Sequence, residues 1–229
     1  MNSPQSVDRP TTTEALIACR QVITFGSVCD QLSGGGLQGF TVALGYRDEQ
    51  GHGKLPIDLS FGAGGWFAAH FGIASLPGDF PHGSQVQLTA DFAAPGHQPA
   101  QLQVQVPAAT FGLVEFSLPR HPESTLLRLA GPPVHLEARL PPLPVGLRGI
   151  VVYDNDPASP VPGASVEVPG LAPVTADDQG RFALAALPVA AQLQLRVSDG
   201  THHQIHHLTV DYGQPVNVAI LSLTRSNVE

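Results

Sequence analysis

The sequence predicts an all-β chain built as two β-sandwiches in tandem. Three observations predict it. Turn-forming residues are abundant: 24 Gly and 22 Pro among 229 residues, about a fifth of the chain against a usual level of roughly 12%. Charged residues make up 13% while 42% are apolar, so core material is present without the charged, breaker-poor composition of a helical bundle. Short runs with alternating apolar and polar residues recur between turn signals, as strands with one buried face require. The same figures argue against a disordered chain, which pairs high charge with low hydrophobicity. No Gly falls at every third position, so collagen is excluded.

An internal repeat organises the chain. The segment 25–44, FGSVCDQLSGGGLQGFTVAL, aligns without a gap to the segment beginning at Gly149, at an offset of 124. Val28 matches Val152, Asp30 matches Asp154, Gly39 matches Gly163 and Val42 matches Val166. Downstream, Gly65-Trp66-Phe67 matches Gly180-Arg181-Phe182 and Leu76-Pro77 matches Leu187-Pro188. Val86–Leu88 then matches Leu193–Leu195, and Phe116-Ser117-Leu118 matches Leu221-Ser222-Leu223. The expected organisation is a tail with a short helix or strand over 1–21 and a first sandwich over 22–120. A proline-rich connector over 121–146 and a second sandwich over 147–229 follow. The first copy is longer because of insertions near 45–64 and 70–84. Each half carries a net charge of −4.

In the first copy the pattern predicts strands over 22–29, 38–46, 56–61, 65–71, 85–92, 101–106 and 111–118. The connector holds six prolines, which stiffen it. Within it Val134, Leu136, Ala138 and Leu140 alternate with His135, Glu137 and Arg139, an amphipathic strand expected to add to one sandwich or to lie across both. In the second copy Gly149–Asp154 is an apolar strand, and Ala164–Val168 alternates. Asp177–Gly180 is a tight turn with Gly180 free to take positive φ, and a short strand follows over 181–184. Gln192–Val197 alternates, Asp199-Gly200 signals a hairpin, and 208–212 and 216–223 complete the set.

The second copy resembles the carboxypeptidase regulatory-like family. The residues that carry the resemblance are Gly149–Asp154, Pro162-Gly163-Ala164-Ser165-Val166-Glu167-Val168, Thr175–Phe182 and Leu187-Pro188. The first copy resembles it through Val28, Asp30, Gly39, Gly65–Phe67, Leu76-Pro77 and Ala94–His97. The resemblance implies a seven-stranded, Greek-key, prealbumin-like (transthyretin-like) sandwich in each copy. It also implies a non-catalytic role, because such domains act as folding modules, spacers or docking surfaces. Fold-level likeness informs function poorly.

Thr201-His202-His203-Gln204-Ile205-His206-His207 places four His in six residues. In a strand, His202 and His206 share a face but lie about 13 Å apart at ~3.3 Å per residue, too far for one metal ion, so these His are expected as edge-strand polarity or a polar contact face. Asp154-Asn155-Asp156 and Asp177-Asp178 are acidic turns without the 12-residue loop of a calcium site. Intradiol ring-cleaving dioxygenases share the sandwich, and the opening Val161–Val168 is similar to theirs, which leaves a metal-dependent enzyme as a remote alternative. The only tyrosines are Tyr46, Tyr153 and Tyr212, and the Tyr/His ligand run of that family is absent. No nucleophile elbow or phosphate loop is present either. Trp66 stands where the second copy has Arg181, and alternation turns it outward if Phe67 is core. With Phe61, Phe71 and Phe80 it forms a candidate aromatic binding patch.

The expected function is therefore that of a structural or adaptor subunit contacting other proteins in a larger assembly, copies of itself included. A phage-tail-like or contractile injection particle is one such setting. The alternative is a module that binds glycan or a cell surface through the first-domain aromatic loops. No enzyme activity, cofactor or metal is expected. Lys54 is the only lysine and the net charge is −8, so nucleic acid is not an expected partner. No apolar run reaches the ~18 residues of a membrane span. The first 20 residues lack the pattern of a secretory signal, so cytoplasmic synthesis is expected. Cys19 and Cys29 are expected as reduced thiols, mostly buried.

Overall fold

A computed structural model describes residues 20–72, 81–118 and 121–225. Those residues are all-β, arranged as sandwiches in two compact units. The first comprises the described residues through Pro95 and Pro99–Leu140; the second comprises Gly96–Gln98 and the described residues from Pro141 on.

The first unit holds strands β1 (Arg20–Asp30), β2 (Thr41–Arg47), β3 (His52–Lys54), β4 (Asp58–Phe61), β5 (Trp66–Gly72), β6 (Gln85–Ala93), β7 (Ala100–Pro107), β8 (Leu113–Leu118), β9 (His121–Leu129) and β10 (Val134–Leu140). One sheet has the order β10-β1-β5-β4 and the facing sheet the order β3-β2-β6-β7, while β8 and β9 form a separate hairpin. The period-two pattern sets which side chains go inside. On β6, Val86, Leu88, Ala90 and Phe92 are buried and the residues between them are not. They meet Val28, Phe67, Ala69, Leu136, Ala138 and Leu140 of the other sheet in one core. Phe67 and Phe92 pack edge to face across it, with centroids 5.7 Å apart. The outer face of β6 and β7 is polar. Gln87 donates to Gln103 at 2.9 Å, Gln103 to Gln101 at 3.0 Å, and Gln101 to Asp91 at 2.7 Å.

The second unit holds β11 (Gly146–Tyr153), β12 (Ser165–Glu167), β13 (Val174–Thr175), β14 (Arg181–Leu184), β15 (Gln192–Ser198), β16 (His203–Thr209) and β17 (Val216–Leu223). Its sheets have the orders β14-β11-β17 and β13-β12-β15-β16. Leu147, Val151, Val166, Phe182, Leu195, Val197, Leu221 and Leu223 lie in their shared core.

The two units repeat one strand plan. The first strand of each lies beside a parallel strand that comes last, β1 with β10 and β11 with β17. Its other neighbour is antiparallel, β5 or β14. The second sheets correspond strand for strand in the orders above. Glycine marks the same crossing in both. A Cβ at Gly26 would run into the Leu136 carbonyl, and one at Gly149 into the Ala219 carbonyl. Gly65 (φ 78°) and Gly180 (φ 71°) also correspond, and a side chain at either would press on the Val28 or Val151 carbonyl.

This geometry corrects two sequence matches. Gly26 is equivalent to Gly149 and Val28 to Val151, so the first strands align at an offset of 123. The offset of 124 holds only after the following loop: the Leu37 N–H donates to the Val28 carbonyl, and the Val161 N–H to that of Val151. The counterpart of β17 in the first unit is β10 and not the segment 116–118, which pairs with β9. The alternating segment expected in a connector over 121–146 is thus the closing strand of the first sandwich. Burial explains the placement, because Leu136, Ala138 and Leu140 complete that core.

Candidate contact surfaces

The outer face of the sheet β10-β1-β5-β4 carries two exposed aromatic side chains of the first unit, Phe25 and Trp66. Inward-facing Phe67 leaves its neighbour Trp66 pointing outward, 49% exposed. Phe25 lies opposite His135 in the register of β1 and β10, and the two rings stack with centroids 4.9 Å apart. Trp66, opposite Ser27 on the next strand, stacks toward the same imidazole at 6.4 Å and 19°. His135 Nε2 stands 3.9 Å from a Glu137 carboxylate oxygen.

Phe61 does not join this cluster. It lies opposite Phe67 in the pairing of β4 with β5, and directly opposed residues share a sheet face. Its ring therefore lies on the core side, packed edge to face on Phe40 at 5.2 Å, and is 57% exposed only because β4 is an edge strand. Phe71 lies on β5 opposite Gln21, and Phe80 lies outside the described residues. Of the expected patch of Trp66, Phe61, Phe71 and Phe80, Phe61 thus lies on the opposite face from Trp66, which shares its own face with Phe25 and His135. Phe25 and His135 were missed because strand pairing, not spacing, brings them together. Cys29 is half-buried on β1 and free of a disulfide; Cys19 lies outside the described residues.

The His run splits into two roles. His203, Ile205 and His207 alternate outward on β16, while Gln204 and His206 turn inward. His206 Nε2 pairs with the Ser222 carbonyl at 2.8 Å. His202 precedes the strand, and its Nδ1 lies 3.0 Å from Asp199 Oδ2. Asp199 also accepts the Tyr153 hydroxyl at 2.7 Å and the N–H groups of Thr201 and His202 at 2.8 and 2.6 Å. Burial alone would raise its pKa. The His202 N–H, the His202 ring, the Tyr153 hydroxyl and the Thr201 N–H outweigh burial and hold the carboxyl well below the usual range. The same bond to Asp199, with burial, pushes the Tyr153 phenol up. Arg225 stacks over the Tyr153 ring at 4.3 Å. Among the described residues no group of three or more His, Cys, Asp or Glu is placed to hold a metal ion.

The acidic turns are engaged by the backbone. Asp177 accepts the N–H groups of Gln179 and Arg181 and pairs with the Arg181 side chain at 3.1 Å. Asp156 accepts from Ala158 and Ser159. Asp154 accepts from the Arg225 N–H. The Tyr212 hydroxyl accepts the Ala190 N–H and lies 3.1 Å from each of the Pro188 and Ala190 carbonyls, to which it donates.

Strand β17 presents a surface that sequence reasoning did not single out. Val218 is 80% exposed and Ile220 is 60% exposed, with Val216 beside them. The strand lies at the open edge of its sheet. The signal was present, since no charged residue occurs between Asp211 and Arg225.

No protein-family model matches the sequence, and no curated protein matches it. Among solved structures, the chain is similar to the Bacillus anthracis TIE protein at 10% identity and a TM-score of 0.33, covering 90% of this chain and 34% of that one. It is also similar to BcpA, the major pilin subunit of Bacillus cereus, at 9% identity and a TM-score of 0.31, covering 82% and 57%. A Streptococcal ancillary pilin matches at 14% identity and a TM-score of 0.30, covering 89% and 62%. The chain spans a third to under two thirds of the length of these proteins, and likenesses this loose assign no family.

Proposed function

We propose that this chain is a structural, non-catalytic subunit of a larger protein assembly, built from two copies of one carboxypeptidase regulatory-like sandwich. The observation that carries the reading is uncovered apolar surface on both units: Trp66 and Phe25 on the first, Val218 and Ile220 on the second. Apolar side chains that leave water on contact supply association energy of about 25 cal/mol per Å² buried. The shared strand plan and the paired glycines support the two-copy origin. A phage-tail-like or contractile injection particle is the setting proposed. The test is native mass spectrometry of the protein taken from its source cells. A stoichiometric complex is expected, and a lone monomer with nothing co-purifying would sink the reading.

A second reading is favoured by the ring cluster of Trp66, Phe25 and His135. Aromatic rings on an exposed sheet face suit a glycan, whose C–H faces pack on them. On a glycan array this reading expects binding that Trp66→Ala abolishes. Unchanged binding by that variant, or none by the parent, removes it.

A further inference from the structure

We infer that β17 is a self-pairing edge, joining two copies of this chain about a two-fold axis through Val218. The inference rests on the assembly reading and names one of its contacts.

The backbone defines which groups are free. In a parallel pair, alternate residues of a strand turn both N–H and C=O toward the neighbour. The carbonyls of Pro215 and Leu223 accept from Gly146 and Asp154, so these odd-numbered positions face β11. Val216, Val218, Ile220 and Ser222 therefore point their N–H and C=O groups to the open side. Ser222 already has a partner there, His206 Nε2 on its carbonyl. Among the described residues no strand pairs with this edge.

Side chains show what the edge is suited to meet. Open edges are usually guarded by charge. The first unit follows that rule at the equivalent strand, where Leu136 and Ala219 occupy matching places opposite Gly26 and Gly149. His135, Glu137 and Arg139 on β10 thus correspond to Val218, Ile220 and Ser222 on β17. An antiparallel self-pairing of β10 about Glu137 would set Glu137 against its own copy and His135 against Arg139. Like charges directly opposed are destabilising. On β17 the equivalent pairing, about Ile220, sets Ile220 against Ile220 and Val218 against Ser222, and pairing about Val218 sets Val218 against Val218 and Val216 against Ile220, with no charge involved in either. In that register β10 sets Glu137 against its own copy while β17 opposes no charge in either register, and this difference argues for a second copy as the occupant.

The free groups and the two-fold agree. Centred on Val218, the residues facing across the axis are Val216 with Ile220, Val218 with Val218, and Ile220 with Val216. Each has its N–H and C=O turned outward, so each facing pair exchanges two hydrogen bonds, about six in all. The contact is isologous and closed, giving a dimer and not a filament.

The test uses the full chain and sedimentation equilibrium across a concentration series. The parent is expected to dimerise. Val218→Lys and Val218→Glu, both at an exposed position that leaves the core intact, are each expected to be folded by circular dichroism and monomeric. Mixing the two is expected to restore the dimer, because Lys then faces Glu across the axis. A parent that stays monomeric overturns the inference. A dimer surviving either substitution overturns it too, while leaving the assembly reading in place through another contact. Two monomeric variants that fail to pair on mixing overturn the two-fold register.

Discussion

Asp199 shows how much one side chain can organise. It gathers a phenol, an imidazole and two backbone N–H groups at the start of the β15–β16 hairpin. Removing it leaves the Tyr153 hydroxyl and two N–H groups without their acceptor, so Asp199→Ala is expected to cost about 1–3 kcal/mol in urea denaturation. The pH dependence has a definite sign. The folded carboxyl titrates well below its unfolded value of about 3.9. Its contribution is therefore fully present above that value and is lost as pH falls toward the folded one. The stability gap between parent and variant should be widest near neutrality and should close in acid; a gap independent of pH would contradict the assignment. Thr24 is the opposite case. Its hydroxyl is buried and has no hydrogen-bond partner among the described residues. Thr24→Val removes that orphaned group and retains the branched shape, so it is expected to raise the urea midpoint by the equivalent of up to about 1 kcal/mol.

At the scale of elements, glycine and pairing decide what alternation alone cannot. Gly180 holds φ at 71°, with the Val151 carbonyl 2.6 Å from where a Cβ would sit. Gly180→Ala is therefore expected to lower stability by roughly 2 kcal/mol through strain at an L-residue and a backbone clash. An unchanged thermal midpoint would show that the turn has room to adjust. Much of this element structure was legible in the sequence. The in–out pattern of β6, β10 and β15 is written in Val86–Phe92, Val134–Leu140 and Leu193–Val197. What was not legible depended on register. A gapless match hides a one-residue difference in the loop after β1. Prolines at 132, 133, 141, 142 and 144 made β10 look like a connector, though all of them fall outside the strand. The patch around Trp66 was drawn from nearness in sequence, yet Phe61 lies opposite Phe67 and so on the other face. Phe25 and His135 are 110 positions apart in numbering, and only the parallel pairing of β1 with β10 joins them.

At the scale of the whole molecule the cores are separate and the chain is poor in charge. Leu88 is buried in the first core and Leu195 in the second, and no residue belongs to both sets. With 13% charged residues and one lysine, the exterior is better suited to being covered than to solubility in isolation. That places the stability of each unit in its own interior. Truncating a fully buried Leu to Ala costs about 2–5 kcal/mol, from lost burial and the cavity left behind. Leu88→Ala is expected to raise hydrogen exchange across β2, β6 and β7 and to leave β12, β15 and β16 protected. Leu195→Ala is expected to do the reverse. Mass-resolved exchange on the full chain reads both sets of strands in one experiment. Equal loss of protection in both units from either substitution would mean that they unfold as one, and the two-module account of the chain would fail.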